Sequence, residues 1–276
     1  MKLITLNTHS LVEENYAEKL EAFVTAIEAE QPDIIALQEV NQSISAKVVA
    51  PENLMNFIPC GAIAVKEDNH LYNAVKKLSE KGIVYYWTWL GIKCGYGKYD
   101  EGIGILSRSP VIETDMAAVS SVDDYSNWRT RKVIGICTKN YPGVWFYSVH
   151  FGWWNDEKEP FSHQFRRLCS HINGKKDVWL MGDFNSPAAI RNQGYDTVSA
   201  EGFYDCFLLA ETKDTGITVT AAIDGWQTNK NNAEGMRIDQ IWCNKIKDVI
   251  SSSVIFNGKY YPVVSDHYGV ITEIKD

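Results

Sequence analysis

Polar side chains that suit phosphate chemistry follow the ends of several apolar runs in this chain. Short hydrophobic segments, such as residues 3–6 and 178–181, stop abruptly at an amide, a carboxylate or a histidine. One such end is unremarkable, but a series of them indicates a single site where the ends of several strands converge. The residues concerned are Asn7, Glu39, His150, Asp183, Asn185, Asp239, Asp266 and His267.

The residue types limit the chemistry that this set can perform. Glu39, with Asn7 and Asp266, offers hard oxygen ligands of the kind that Mg²⁺ prefers, and Mn²⁺ is the alternative ion. A further carboxylate can deprotonate a water molecule. Amides and imidazoles can bind phosphate oxygens in the transition state. The combination is typical of metal-assisted hydrolysis of a phosphate ester.

Alternating short strands and helices must position these residues. Apolar residues at helical spacing predict helices over 15–30, 70–81 and 159–173. Apolar runs predict strands at 2–6, 34–38, 83–93, 102–107, 132–138, 144–150, 178–182, 237–243, 249–256 and 268–274. Because many strands follow one another without an intervening helix, we expect an α/β protein with mixed or antiparallel sheets. Residues 41–69 and 185–235 are predicted to be loops with small helices at the rim of the site.

Composition and charge narrow the class of partner and the compartment. The 276 residues contain no linker-like segment, so we expect a single domain over residues 1–276. Lys and Arg total 27 against 35 Asp and Glu, a net charge of −8, which disfavours a nucleic-acid partner. No secretory signal and no apolar run of about 18 residues is evident. We therefore expect a cytoplasmic protein with no membrane partner and no obligate protein partner.

Seven ordered segments give the chain a resemblance to a known family. They are LNTH at 6–9, LQEV at 37–40, EGIGILSR at 101–108, SVHF at 148–151, GDFN at 182–185, RIDQIW at 237–242 and SDHYGV at 265–270. In this order they resemble the endonuclease/exonuclease/phosphatase superfamily, which includes pancreatic deoxyribonuclease, apurinic endonucleases, inositol polyphosphate 5-phosphatases and bacterial sphingomyelinases. The resemblance implies a four-layer α/β sandwich with two central mixed or antiparallel sheets flanked by helices and a site at one end.

The same resemblance implies roles for individual residues near the metal and the attacking water. Glu39 resembles the principal Mg²⁺ ligand, Asn7 a residue of the metal shell and Asp266 a carboxylate near the metal. Asp183 matches the aspartate that orients or deprotonates the attacking water. Asn185 matches the asparagine that holds a phosphate oxygen.

The resemblance also implies that two histidines contact the scissile phosphate. His267 matches one of them, with Asp239 as its carboxylate partner, and His150 matches the other, which the apurinic endonucleases replace by a tyrosine. Pairing of Asp239 with Arg237, which shares its strand face, is an alternative. His9 lacks a motif context and is expected to be a surface or local hydrogen-bonding group.

The substrate must be predicted from other residues, because a shared fold does not determine it. Trp153 and Trp154 follow His150 closely and offer a stacking surface for a sugar ring or a base, or else pack on the next helix. Lys98 and Arg131 could bind a terminal phosphate dianion, unless they are solvated loop charges. Glu101 could support the second histidine or remain a solvated carboxylate.

The expected substrate is a small phosphorylated sugar. The chain is similar to a subgroup of bacterial cytosolic phosphatases in its segments TLNTHS, YGKYDEGIGILSR and HFGWWNDEKEPF. That similarity implies a Mg²⁺-dependent phosphomonoesterase that acts on maltose 6'-phosphate. The alternative is a phosphodiesterase of the same superfamily that cleaves DNA or RNA, and a second alternative is a binding module without catalysis.

Overall fold

The computed structural model describes residues 1–220 and 235–275, so part of the predicted rim segment 185–235 lies outside the described residues. The helices are α1 (Tyr16–Glu30), α2 (His70–Glu80), α3 (Phe161–Ile172), α4 (Gly194–Ala200) and α5 (Cys206–Leu209). The strands are β1 (Lys2–Asn7), β2 (Ile34–Ser43), β3 (Tyr86–Gly95), β4 (Tyr99–Ser107), β5 (Val111–Ala118), β6 (Lys132–Thr138), β7 (Tyr141–His150), β8 (Asp177–Asp183), β9 (Tyr204–Asp205), β10 (Thr212–Lys213), β11 (Asp239–Cys243), β12 (Val249–Ile255) and β13 (Gly269–Ile274).

The strands form two mixed sheets. The first has seven strands in the order β10-β12-β13-β1-β2-β4-β3, and the second has six in the order β5-β6-β7-β8-β11-β9. Strand pairs β1–β2, β10–β12 and β7–β8 are parallel, whereas the other neighbours run antiparallel. The predicted mixture of parallel and antiparallel pairing is therefore confirmed.

Alternating side chains divide the protein into four layers. In β1, Leu3 faces the core between the two sheets, whereas Ile4 faces the helical layer, because successive strand residues point to opposite faces. Helices α1 and α2 cover the outer face of the first sheet, for example with Phe23 and Leu71. Helix α3 covers the outer face of the second sheet with residues such as Phe165. This arrangement confirms the predicted four-layer α/β sandwich.

Element boundaries differ from the predicted ones mainly at exposed edges. Strand β5 was not predicted, because most of its residues are exposed or half-buried and it lies at the edge of the second sheet, so it lacks an apolar run. Strand β2 runs on into the predicted loop 41–69. Among the described residues, we find no helix with the length and apolar composition that crossing a membrane requires.

Strand register brings the polar strand ends to one end of the sandwich. Asn7 ends β1, and His150 and Asp183 end the neighbouring parallel strands β7 and β8, where they are paired in register. Asp239 begins β11, which runs antiparallel to β8, and it is paired with Asp183. The carboxyl ends of β1, β7 and β8 thus meet the amino end of β11, as the convergence of strand ends predicts.

Candidate active site

A β-bulge in β2 presents the side chain of Glu39. The pairing of β2 with β4 shifts between Leu37 and Val40, and Glu39 has a positive φ of 50°. A bulge of this kind redirects one side chain of a strand. Hydroxyls of Thr8 and Ser10 donate to the Glu39 carbonyl oxygen at 3.0 and 2.8 Å. These contacts hold a backbone conformation that is strained for a residue with a Cβ.

The amide of Asn7 connects the two sheets at the site. Its Nδ2 donates to Glu39 Oε1 at 2.9 Å and to Asp183 Oδ2 at 3.2 Å. Its Oδ1 accepts from the backbone N–H of His9 at 3.3 Å. The amide nitrogen therefore faces the two carboxylates, and an oxygen ligand from Asn7 would require the amide to rotate by half a turn.

Local backbone geometry fixes the position of Asp183. The preceding Gly182 has a φ of 153°, and a Cβ there would lie 1.9 Å from the carbonyl oxygen of Val149, so only glycine fits. The backbone N–H of Asn185 donates to Asp183 Oδ1 at 2.7 Å. This bond directs the other carboxylate oxygen, Oδ2, towards Asn7.

Burial and a second carboxylate change the protonation of Asp183. Asp183 is 2% exposed, and burial together with the neighbouring charge of Asp239 raises its pKa to about 7. The carboxyl group can thus exchange a proton at neutral pH.

Asp239 holds His267 in the opposite charge state. His267 Nδ1 lies 2.9 Å from Asp239 Oδ2, and both side chains are buried. Burial alone would lower the pKa of His267, but the charges of Asp239, Asp183 and Asp266 raise it to about 10. His267 is therefore an imidazolium at neutral pH, directed by a carboxylate.

Arg237, the alternative partner of Asp239, forms an ion pair with a different carboxylate. Arg237 Nη2 lies 2.6 Å from Asp205 Oδ2. The structure therefore pairs Asp239 with His267 rather than with Arg237.

His150 lies beside Asp183, but its pKa is shifted in the opposite direction from that of His267. Its Nε2 is 3.6 Å from Asp183 Oδ2. Burial, reinforced by the cations of Arg131 and Lys93, holds the pKa of His150 well below its usual value. The two histidines of the site therefore carry different charges, with His150 neutral.

These side chains surround an open cleft of about 200 Å³ at the end of the sandwich. Asn7 and Asp239 lie behind its wall, where they contact Glu39 and His267. The predicted residues that line the cleft are Glu39, Glu101, Arg131, His150, Trp153, Asp183, Asn185, Asp266 and His267.

Two predicted substrate-binding residues lie outside the cleft wall. Lys98 is exposed in the β3–β4 turn, and its Nζ lies 4.8 Å from the ring centre of Tyr99. Trp154 is half-buried and packs against the core under helix α3, whereas Trp153 lines the cleft. Of the alternatives that the sequence left open, the structure therefore places Lys98 as an exposed loop charge and packs Trp154 beneath the next helix.

Sequence reasoning missed Lys93 and did not connect Trp128 with Trp153. Lys93 is buried, with its Nζ 3.0 Å from Glu101 Oε1 and 3.1 Å from the carbonyl oxygen of Trp128. A lysine inside the apolar strand β3 was a signal that could have identified it. Trp128 lies beside Trp153, with ring centres 5.3 Å apart, and only the fold brings them together.

His9 also lines the cleft and is more than a local surface group. Its Nδ1 lies 2.7 Å from Glu13 Oε1 and 3.8 Å from Asp266 Oδ1. Its Nε2 lies 3.1 Å from the hydroxyl of Tyr96. The left-handed backbone at His9, with a φ of 45°, turns the ring towards these partners.

The cleft concentrates negative charge that a divalent cation would offset. Burial, together with the charges of Glu101 and Asp266, raises the pKa of Glu39, and a cation beside its carboxylate would favour the ionised form. Carboxylate oxygens are ligands that Mg²⁺ and Mn²⁺ prefer, so the donor set fits such an ion. Two groups within the described residues bring ligand atoms within 4.8 Å of one another: His9, Glu13 and Asp266, and Asp183, Asp239 and His267.

Comparison with known proteins identifies the family. The family model described as "Endonuclease/Exonuclease/phosphatase family" matches residues 4–267. A solved structure of an endonuclease/exonuclease/phosphatase family protein from Leptotrichia buccalis C-1013-b is 31% identical, covers 100% of both chains and has a TM-score of 0.87. No significant match was found among curated proteins.

More distant structures share the fold but differ in what they act on. A mannosyl-6-phosphatase from Bacteroides thetaiotaomicron VPI-5482 is 16% identical over 100% of both chains, with a TM-score of 0.67. A 3' phosphatase from Neisseria, bound to a product DNA hairpin, is 17% identical over 100% of both chains, with a TM-score of 0.65. Together, the family match and the 31% identical structure establish that the chain belongs to the endonuclease/exonuclease/phosphatase family.

Proposed function

We propose that the protein is a Mg²⁺-dependent phosphomonoesterase that hydrolyses a phosphorylated sugar, with maltose 6'-phosphate as the specific candidate. The observation that carries the proposal is the composition of the cleft. A carboxyl group that titrates near neutral pH, an imidazolium, a neutral imidazole and a buried guanidinium meet next to two indole rings. The proposal includes a cytoplasmic location and a small-molecule partner.

Asp183 is the residue best suited to activate water. A general base works best when its pKa lies near the working pH, and the pKa of Asp183 is about 7. Asn7 and Asn185 fix its two oxygens through the hydrogen bonds described above. We assign Asp183 the removal of a proton from a water molecule that attacks the phosphorus in line with the leaving sugar oxygen. No covalent phosphoenzyme is required.

His267 and His150 are placed to stabilise the developing charge on the phosphate. The imidazolium of His267, oriented by Asp239, offers a charged donor. The neutral ring of His150 offers an uncharged donor next to Asp183. Asn185, which also lines the cleft, is assigned a phosphate oxygen.

Glu39 and Asp266, with Asn7 after rotation of its amide, are the residues that would hold a divalent ion. Bound Mg²⁺ would neutralise phosphate charge and polarise a phosphoryl oxygen. The raised pKa of Glu39, caused by burial and by Glu101, supports this assignment, since a bound cation would stabilise the ionised carboxylate.

Arg131 favours a phosphomonoester over a phosphodiester. A terminal phosphate carries close to two negative charges at neutral pH, whereas a diester carries one. Arg131 is 5% exposed, and its Nε has no hydrogen-bond partner among the described residues, while its Nη1 donates to the carbonyl oxygen of Trp128 at 3.0 Å. A buried, incompletely satisfied guanidinium suits the additional charge of the terminal phosphate.

A nuclease of the same fold is the competing function. Binding to nucleic acid without sequence preference depends on many Lys and Arg contacts to phosphates. The chain has a net charge of −8, and Lys93, a buried cation of the cleft, is paired with Glu101. Both features favour a small ester that is bound locally.

Phosphate release from a panel of esters tests the proposal. The panel contains maltose 6'-phosphate, glucose 6-phosphate, mononucleotides, a 3'-phosphorylated DNA hairpin and a phosphodiester, each with Mg²⁺ and with EDTA. We expect Mg²⁺-dependent release from the sugar phosphates and its loss in Asp183→Ala, which circular dichroism should show to be folded. Release from DNA alone, or cleavage of the diester with the sugar phosphates untouched, would contradict the proposal.

A further inference from the structure

We infer that Trp128 is the specificity-determining residue of the cleft, where its indole, together with that of Trp153, contacts the apolar face of the substrate's sugar ring. The inference rests on the proposed function and deepens it. It assigns the recognition of the sugar to a pair of residues that are 25 positions apart in sequence and that no motif connects.

The two indoles form one side of the cleft. Their ring centres are 5.3 Å apart with planes at 52°, a tilted arrangement rather than a face-to-face stack. Trp128 is 43% exposed, whereas the tryptophans Trp87, Trp89, Trp179 and Trp242 are almost fully buried. An exposed indole that lines the same cleft as His150 is placed to meet the part of the substrate that carries no phosphate.

A cation, itself paired with a buried carboxylate, packs on the indole of Trp128. The guanidinium carbon of Arg129 lies 4.1 Å from the Trp128 ring centre, which is a cation–π contact. Arg129 Nε lies 2.8 and 3.1 Å from the two carboxylate oxygens of Asp156. Asp156 also accepts from the backbone N–H groups of Lys158 and Glu159, both at 2.9 Å. The segment that contains Trp153 is thereby linked to the segment that contains Trp128.

A turn with side-chain hydrogen bonds fixes the backbone on either side of Trp128. Thr130 Oγ1 donates to the carbonyl oxygen of Asp124 at 2.7 Å, and the Arg129 N–H donates to Asn127 Oδ1 at 3.0 Å. Thr130 is fully buried. Because the indole is held in place before substrate binds, stacking on it costs little conformational entropy.

Polar groups that can bind sugar hydroxyls lie in the same cleft as Trp128. The carbonyl oxygen of Trp128 accepts from Lys93 and Arg131, and Lys93 is paired with Glu101. Glu101 lines the same cleft as Trp128, and its carboxylate can accept hydrogen bonds from sugar hydroxyls. An aromatic face and a hydroxyl acceptor in one cleft are the groups that a sugar ring needs.

The test compares an ester that contains a sugar ring with one that has no ring. We expect Trp128→Ala to lower the ratio of kcat/KM for glucose 6-phosphate to kcat/KM for glycerol 3-phosphate by about 10-fold, since only the first ester has a ring to contact. The change should appear mainly in KM, and Trp128→Phe should restore part of the ratio. Trp154→Ala is the matched control, and it should leave the ratio unchanged, because that indole packs outside the cleft.

The outcomes separate this inference from the proposed function. If the wild-type enzyme hydrolyses sugar phosphates but Trp128→Ala leaves the ratio unchanged, the inference is wrong and the proposed function stands. An equal fall for both esters would assign Trp128 a structural role and would also overturn it. A fall in kcat/KM that is confined to a 3'-phosphorylated DNA hairpin would also overturn the inference, because it would make Trp128 a base-stacking residue. If the wild-type enzyme releases no phosphate from any sugar phosphate, both are overturned.

Discussion

Replacement of Asp183 by asparagine should abolish activity and yet stabilise the protein at alkaline pH. Asp183 is buried near a second buried carboxylate, Asp239, and both effects penalise its ionised form. An amide of the same shape can still accept from the N–H of Asn185 but cannot ionise. The variant therefore removes an electrostatic cost that the active site imposes on the fold.

The sign and the size of this effect follow from the pKa of Asp183. Because that pKa is raised from 3.8 to about 7, folding favours the protonated form, and stability from this group is lost as the pH rises through 7. At roughly 1.4 kcal/mol for each pH unit, the interval corresponds to about 4 kcal/mol of unfolding free energy above pH 7. The new amide nitrogen would face the Nδ2 of Asn7, a donor against a donor, at a cost of roughly 1–3 kcal/mol. We expect a net stabilisation of roughly 1–3 kcal/mol at pH 8 that changes sign between about pH 5 and 6.

Urea unfolding at pH 5, 6, 7 and 8 in the presence of EDTA measures this difference. Asp115→Asn is the matched control on the outer side of the second sheet. Burial alone would raise the pKa of Asp115, but hydrogen bonds from Tyr147, His171 and Lys175 lower it. Its stabilising contribution is present at neutral pH and is lost in acid, so the control should be destabilised at pH 8. A stability difference for Asp183→Asn that is independent of pH, or a destabilisation at pH 8, would refute the reasoning.

Three further predictions concern the groups around the phosphate. We expect kcat/KM to fall below about pH 7, as Asp183 becomes protonated, and above about pH 10, as His267 loses its proton; a flat profile from pH 5 to 11 would contradict both assignments. Asp239→Asn should lower kcat on the order of 10²–10⁴-fold. It should also move the alkaline limb of the pH–activity profile to lower pH, because burial then dominates the pKa of His267. An unshifted limb would show that Asp239 does not set that pKa. Glu39→Gln should raise the Mg²⁺ concentration for half-maximal activity by at least about 10-fold, and an unchanged requirement in a metal titration would exclude Glu39 as a ligand.

The residues that the sequence located correctly are those whose position depends on a strand end. Asn7, His150 and Asp183 each end a strand whose apolar run is visible in the sequence. The strand register then brings these residues together, because the neighbouring strands β7 and β8 end at the same edge of the sheet. Glu39 differs, because β2 continues to Ser43 and a bulge inside the strand, which is not visible in the apolar pattern, presents its side chain.

Residues whose position depends on loops could not be located in this way. Trp128 lies in the irregular segment before β6 and lines the cleft, and nothing in the spacing of Trp128 and Trp153 indicates their contact. The pair Trp153 and Trp154 was misleading, since adjacent residues of an irregular segment point in different directions. Lys98 was attractive by its charge alone, yet the turn between β3 and β4 holds it outside the cleft.

The ratio of kcat/KM for maltose 6'-phosphate to kcat/KM for a 3'-phosphorylated DNA hairpin, measured with saturating Mg²⁺ at two salt concentrations, tests the central claim most directly. A sugar phosphomonoesterase with this acidic chain should prefer maltose 6'-phosphate at both salt concentrations, with kcat/KM for that substrate changing little with salt. A preference for the DNA hairpin that weakens steeply as salt rises would contradict the claim and would assign the protein to the nucleic-acid-processing members of its family.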